Sequence, residues 1–144
     1  MFLHAKRFDQ PIGDWTTSSV TSMSNMFEGT NAFNQPIGNW DLSRVNILKT
    51  MFGSNPVFNQ PIGGWNTSRV TIMGLMFLRA AAFNQSLSDW DTSRVIDFSS
   101  MFEGRAELPS STEQILIACA VAQIFKMSKC IHKISTKYHH LLLG

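Results

Sequence analysis

The sequence predicts a repeat solenoid of about four stacked coils, and three observations support that fold class. The four tryptophans of the chain stand 25 residues apart, at Trp15, Trp40, Trp65 and Trp90. A Met-Phe pair recurs at the same interval, from Met1-Phe2 to Met101-Phe102, with no insertion or deletion. Other apolar residues also keep their places within each unit. A strict repeat of this length is typical of stacked arrays, because one unit cannot bury its apolar face alone.

The repeats predict a solenoid domain over residues 1–108, with units near 8–32, 33–57, 58–82 and 83–107. Because large apolar side chains recur at the same places, we expect like residues to form continuous columns through the interior. The predicted structural core includes Trp15, Trp40, Trp65, Trp90, Phe33, Phe58 and Phe83. Stacked coils of strand lie ~4.8 Å apart, so each tryptophan ring is expected to lie over the next.

Within a unit, we predict short strands and one helical turn per coil. In the second unit Gln35–Trp40 is expected to be extended and to bend at its glycine, because its proline and glycine argue against a helix. Asp41–Ser43 has the hydroxyl and acidic residues of a turn. Val45–Ile47 is predicted to be a second short strand, and Leu48–Phe52 a helical turn. A glycine at or beside the end of this turn would stop it in three of the four units.

Polar residues recur beside the predicted core and form a second kind of ladder. Asn34, Asn59 and Asn84 each follow a core phenylalanine, and each precedes a glutamine. A polar group held beside a buried ring needs a hydrogen-bond partner. Amides of neighbouring coils can bond one another or the backbone, because each amide both donates and accepts. We therefore interpret these asparagines as structural rather than ligand-binding.

The repeated motif resembles that of a known family. Phe-Asn-Gln-Pro-Ile-Gly-x-Trp, then Ser-Arg-Val and a closing Met-Phe, is similar to the repeat of BspA-like bacterial surface proteins, over about residues 1–104. The resemblance implies a right-handed, leucine-rich-repeat-like solenoid. It also implies a cell-surface or secreted protein, of a kind in which some members are implicated in adhesion and most have no defined molecular activity.

The composition bears on partners and compartment. A formal net charge of +2 is too small to indicate nucleic-acid binding. The two cysteines, Cys119 and Cys130, lie outside the repeats, so no disulfide framework is implied. Residues 1–7 lack the apolar core of a signal peptide and match the phase of a repeat. We therefore expect the chain to begin inside a unit, and the residues themselves indicate no compartment.

Residues 109–144 depart from the repeat and predict a C-terminal amphipathic helix with a loose tail. Ser110 and Glu113 have capping-box spacing. From about Ser111 to about Ile134, apolar residues recur at helical spacing, with lysines on a roughly opposite face. We interpret this helix as a cap over the last coil. A basic membrane-surface helix is the less favoured alternative, and an extension not native to the array is a third.

The repeats contain no arrangement typical of an active site, so we expect neither catalysis nor a bound cofactor. The histidines near Cys130 fit no zinc-binding pattern, so we expect no metal site. Arg44, Arg69 and Arg94 recur at one position and predict a short basic ladder, which is a candidate contact for a partner. Asp41 and Asp91 stand three positions before Arg44 and Arg94, and Asn66 before Arg69, so we expect local pairing to neutralise much of the ladder.

These features lead to two hypotheses of function. The first is a non-enzymatic binding or adhesion module that recognises a protein or a glycan through its repeated outer face. The alternative is a structural spacer, or a fragment of a longer repeat array without activity of its own. The two differ in whether the folded protein has a specific partner.

Overall fold

The computed structural model describes residues 1–104, in which successive 25-residue units lie on one another as a column of coils. Over residues 1–104 the backbone forms no helix and no strand longer than one bridging residue. The parallel bridges join one position of each coil to the same position of the next, through Ser22, Ile47, Ile72 and Asp97. The predicted C-terminal helix and the end of the fourth unit lie outside the described residues.

The predicted fold class, a right-handed, leucine-rich-repeat-like solenoid of short strands and helical turns, is wrong. The backbone hydrogen bonds between residues 23 and 30 show why. Alternate amides, starting at Met23, donate to carbonyls 24 residues further on, at 2.9–3.0 Å. The amides between them, starting at Met26, donate to carbonyls three residues back. In an α-helix, each of these amides would donate to a carbonyl four residues earlier in the same segment. The alternating pattern seen here is therefore neither a helix nor a regular strand.

Left-handed residues interrupt the predicted helical turn. Thr50 lies in the middle of that turn and has a φ of 55°, whereas an α-helix needs about −63°. The same position has a positive φ in every unit, at Asn25, Thr50, Leu75 and Ser100. A second left-handed position follows four residues later, at Gly29, Ser54, Arg79 and Gly104. Each coil therefore passes through this segment as a series of overlapping turns.

Aromatic side chains form three columns through the core. One column contains Phe27, Phe52, Phe77 and Phe102, with ring centroids 5.5–5.7 Å apart. The second contains Phe33, Phe58 and Phe83, at 6.0–6.1 Å. Tryptophan rings form the third, at 6.4 Å between Trp15 and Trp40 and 6.2 Å between Trp65 and Trp90. These spacings exceed the ~4.8 Å of stacked strands.

The tryptophan column also carries hydrogen bonds between coils. The Nε1 atoms of Trp40, Trp65 and Trp90 donate to the isoleucine carbonyl of the preceding coil at 3.0–3.1 Å. These three rings are only 3–5% exposed. Trp15 was predicted to lie in the same core, but it is 40% exposed. It belongs to the first full unit and has a neighbouring indole, that of Trp40, on one side.

Glycines allow the coils to approach closely at one position. A Cβ atom on Gly13 would lie 2.6 Å from the carbonyl oxygen of Pro36 in the next coil. Gly38 and Gly63 meet the next coil in the same way, at 2.6 and 2.7 Å. Real Cβ atoms essentially never come this near to another atom. The fourth unit has Ser88 at this position.

Candidate binding surface

The predicted arginine ladder lies on the outside of the column. Arg44, Arg69 and Arg94 are exposed, and each precedes a valine that is buried in the core. Because the valine points inward, the adjacent arginine is directed towards solvent. The repeat places the three guanidinium groups one coil apart along the column.

A tight turn positions each arginine. The Oδ1 atoms of Asp41, Asn66 and Asp91 accept hydrogen bonds from the backbone amide two residues later, at 2.8–3.2 Å. These are turns in which a short polar side chain replaces a backbone carbonyl. The amide of the following valine then donates to a carbonyl three residues back, at 2.8–3.0 Å. Each arginine therefore leaves a closed turn rather than an open loop.

Hydrogen bonds between coils hold these turns in register. Thr17 Oγ1 donates to the carbonyl of Asp41 at 3.1 Å, and Thr67 Oγ1 donates to that of Asp91 at 3.0 Å. The second unit has Leu42 at the threonine position, and this side chain is buried instead. Two residues after each arginine, backbone amides donate to the preceding coil at 2.8 Å. The surface is thus fixed on both sides of the arginine column.

The charges of the turn leave the arginine column positive. Hydrogen bonds from Ser43 lower the pKa of Asp41. Hydrogen bonds from Ser93 lower the pKa of Asp91, and the charge of Arg94 lowers it further. Both carboxylates are therefore ionised at neutral pH, and each accepts a hydrogen bond from the serine of its own turn. Asn66 carries no charge, so three guanidinium groups stand beside two carboxylates.

The asparagine ladder is engaged in joining the coils. The backbone amide of Asn59 donates to Asn34 Oδ1 at 2.9 Å, and that of Asn84 donates to Asn59 Oδ1 at 2.8 Å. Asp9 takes the same role in the first unit, where it accepts from the amide of Asn34 at 3.0 Å. Gln60 Nε2 donates to the carbonyl of Asn34 at 2.9 Å. These side-chain oxygens serve the column itself.

The structure gives few other candidates for a site. Within residues 1–104, no three His, Cys, Asp or Glu residues come together in a way that could hold a metal ion. No helix in that part of the chain is long and apolar enough to cross a membrane. Sequence reasoning did not predict one feature, a group of exposed apolar side chains. At the first-coil end, Met1, Leu3 and Trp15 expose 83%, 49% and 40% of their surface.

Comparison with known proteins identifies a family. The sequence profile of a family described as "Mycoplasma protein of unknown function, DUF285" matches residues 1–135. No curated protein and no solved structure matches the chain. The family match covers the whole column of coils, including the arginine ladder and the aromatic columns.

Proposed function

The chain belongs to the DUF285 family, whose description gives no function, and we propose that the protein is a non-enzymatic binding module of surface-protein type. It recognises a protein or a glycan through its repeated outer face. The observation that carries the proposal is the column of exposed arginines, Arg44, Arg69 and Arg94, each held by a closed turn at the same place in its coil.

Rigidity favours recognition at this column. A site built on a fixed scaffold loses little conformational entropy when it binds, so more of the contact energy appears as affinity. The aromatic columns and the hydrogen bonds between coils provide such a scaffold beneath the arginines. The flanking carboxylates of Asp41 and Asp91 already accept hydrogen bonds from serines. The guanidinium groups themselves are exposed to solvent, where a partner could reach them.

The chemistry of the column indicates what kind of partner it suits. Guanidinium groups form planar, paired hydrogen bonds with carboxylate, phosphate and sulfate groups. A row of them fits a partner whose acidic groups also recur at short intervals, such as an acidic glycan or an acidic protein segment. The attraction between exposed charges should weaken as salt is added, because the Debye length falls to ≈ 8 Å at physiological ionic strength.

The alternative is a structural spacer without a partner of its own. Its support is that the most regular features, the aromatic columns and the asparagine ladder, join one coil to the next. The two functions predict different results in a binding experiment with folded protein. A spacer would show no specific partner whatever happens to its arginines.

The test is to replace the three arginines with the residue that the first unit already has at this position, Ser19. We expect the triple variant R44S/R69S/R94S to lose binding to acidic glycans on an array, or to protein partners in a pull-down. The matched control K6S/R7S/K49S removes the same charge from other exposed positions and should keep most of the binding.

Melting curves must show that both variants remain folded. If the wild-type protein is folded and has no specific partner, the binding proposal is wrong and the spacer is favoured. If the two triple variants lose binding equally, net charge rather than the arginine column attracts the partner.

A further inference from the structure

We propose that Asn66, rather than Asn84, is an acceptor site for asparagine-linked glycosylation, at its side-chain nitrogen Nδ2. The acceptor triplet Asn-x-Ser/Thr, with x other than proline, occurs at residues 66–68 as Asn-Thr-Ser and at residues 84–86 as Asn-Gln-Ser. A triplet is too short to identify a site by itself. The surroundings of the two asparagines differ, and they favour Asn66.

Asn66 lies in a closed turn that uses the oxygen of its side chain and leaves the nitrogen unused. Its Oδ1 atom accepts hydrogen bonds from the Ser68 amide at 3.2 Å and from Ser68 Oγ at 2.7 Å. Because a backbone N–H can only donate, the atom that faces Ser68 is the oxygen, and Nδ2 lies on the other side of the amide group. Within residues 1–104, Nδ2 has no hydrogen-bond partner.

The rest of the turn directs Asn66 outward and leaves space beside it. The middle residue, Thr67, is only 1% exposed, and its Oγ1 donates to the Asp91 carbonyl in the next coil at 3.0 Å. Asn66 itself is exposed. Apart from its chain neighbours, no atom of residues 1–104 lies within 4 Å of a Cβ atom placed on Gly64. The other units have a side chain at this position, on Asp14, Asn39 and Asp89.

The turn does not depend on the nitrogen of Asn66. The same position holds aspartate in two other units, where Oδ1 of Asp41 and of Asp91 accepts from a serine amide at 2.8 and 2.9 Å. In the transfer, Nδ2 bonds to the anomeric carbon of a sugar and loses one of its two protons. The bond from that carbon to the pyrophosphate of a lipid-linked donor breaks, and the pyrophosphate leaves with the electron pair. Oδ1 is unchanged, so the glycosylated side chain can keep both hydrogen bonds from Ser68.

Asn84 lacks this arrangement. The Ser86 hydroxyl is hydrogen-bonded to Ser88 Oγ at 3.0 Å and accepts from the Ser88 amide at 3.4 Å. In the described part of the chain no hydrogen bond joins Ser86 to Asn84. Asn84 also belongs to the asparagine ladder, in which Oδ1 of Asn34 and of Asn59 accepts a backbone amide of the next coil. Its position therefore serves contacts between coils rather than a free turn.

The experiment offers a sugar donor to the folded chain. Purified protein is incubated with a detergent-solubilised asparagine oligosaccharyltransferase and an oligosaccharide linked to polyprenyl pyrophosphate. Intact mass and peptide mapping then locate the product. We expect one oligosaccharide per chain, on Asn66, and none on Asn84. The melting temperature of the product should not fall, because the hydrogen bonds from Ser68 remain.

Matched variants copy residues that other units already have. Asn66→Asp keeps the turn, as in the second and fourth units, and should abolish transfer. Asn84→Asp copies Asp9 of the first unit and should leave transfer to Asn66 unchanged. Asp91→Asn creates a new Asn-Thr-Ser triplet in the same kind of turn and should add a second oligosaccharide.

The inference is overturned if the folded chain accepts no oligosaccharide, if Asn84 accepts it as readily as Asn66, or if Asp91→Asn adds no second one. Melting curves of the variants show that each is folded when it is assayed. The reaction needs no binding partner and leaves all three arginines in place, so its outcome is independent of the proposed function.

Discussion

At the scale of single residues, close contact between coils depends on glycines that lack a Cβ atom as well as on the side chains that pack. Gly38 leaves room for the carbonyl of Pro61. Gly64, in the third unit, instead faces open space, with nothing within 4 Å of a Cβ atom placed there. Neither glycine has the left-handed φ that would by itself exclude a side chain. The difference between them is therefore one of space alone.

This contrast gives a prediction for two alanine substitutions. Gly38→Ala should lower the free energy of unfolding by about 1–3 kcal/mol, because its Cβ atom would overpack the junction between two coils. Gly64→Ala should be neutral or stabilise the protein by about 0.4–1 kcal/mol, because it restricts only the unfolded chain. Urea denaturation of both variants measures the difference. Equal stabilities would show that the coils can separate at Gly38 without cost.

Trp65 combines burial with a hydrogen bond, and the two contributions can be separated. Trp65→Phe keeps a stacking ring but loses the bond from Nε1 to the Ile37 carbonyl. The lost bond should cost about 0.5–1.5 kcal/mol, since that carbonyl still accepts from the Trp40 amide, and the smaller ring adds a packing cost. Trp65→Ala also empties the column and should cost about 3–5 kcal/mol. The same substitutions at the exposed Trp15 serve as controls and should cost clearly less in thermal melts.

At the scale of elements, the coil is built from turns that the sequence indicates only in part. Asp41–Ser43 was predicted to be a turn from its residue types, and the amide of Ser43 does bond Asp41 Oδ1 at 2.8 Å. The residues that form this turn are close together in the chain, so their types alone predict it. The left-handed φ at Leu75 and Arg79 has no such signal, because neither residue favours that region. Contacts with neighbouring coils outweigh local preference there.

The same distinction explains which other predictions held. The stacking of Trp15 on Trp40 follows from spacing alone, because an unbroken 25-residue period brings equal positions together. Strands and helical turns were predicted from residue types within one unit. Whether an amide bonds within its own turn or to the next coil is decided by the neighbour, as with Met23 and Ile47. The arginine column is placed by the spacing, but no residue pattern reveals what it contacts.

The turn carboxylates give the protein a predictable response to acid. The pKa values of Asp41 and Asp91 are lowered in the folded protein, below the ≈ 3.9 of an unfolded aspartate. Their contribution to stability is therefore complete above about pH 4 and disappears as the pH falls through the lowered values. In both cases the largest cause of the lowered pKa is the hydrogen bonding from serine.

Replacing these carboxylates with amides tests the assignment. The variant D41N/D91N copies the turn of Asn66, whose Oδ1 accepts the same bonds from Ser68 without a charge. We expect its melting temperature to fall less between pH 5 and pH 2.5 than that of the wild-type protein. At pH 7 the variant should be equal or slightly less stable. An unchanged acid dependence would mean that other carboxylates control it.

At the scale of the whole molecule, the column behaves as a one-dimensional stack. Each coil bonds its two neighbours, and the long-range hydrogen bonds between residues 1 and 104 join units that are consecutive in sequence. Stability in such arrays is close to a sum of unit and interface contributions. Opening a coil at an end breaks one interface, and opening an interior coil breaks two. Local stability should therefore fall from the interior towards the first coil.

Hydrogen exchange of the native protein measures this gradient. The amides of Thr50 and Phe52, which donate from the second coil to the third at 3.0 Å, should exchange slowest, near the rate of global unfolding. The amides of Phe2 and His4 bond in the same geometry, at 2.9 and 2.7 Å, but should exchange much faster, because only one coil holds them. Because the hydrogen bonds of the four amides are similar, a difference in exchange rate would report where each amide lies in the column. Equal protection at all four amides would contradict the additive picture and show that the column opens only as a single cooperative unit.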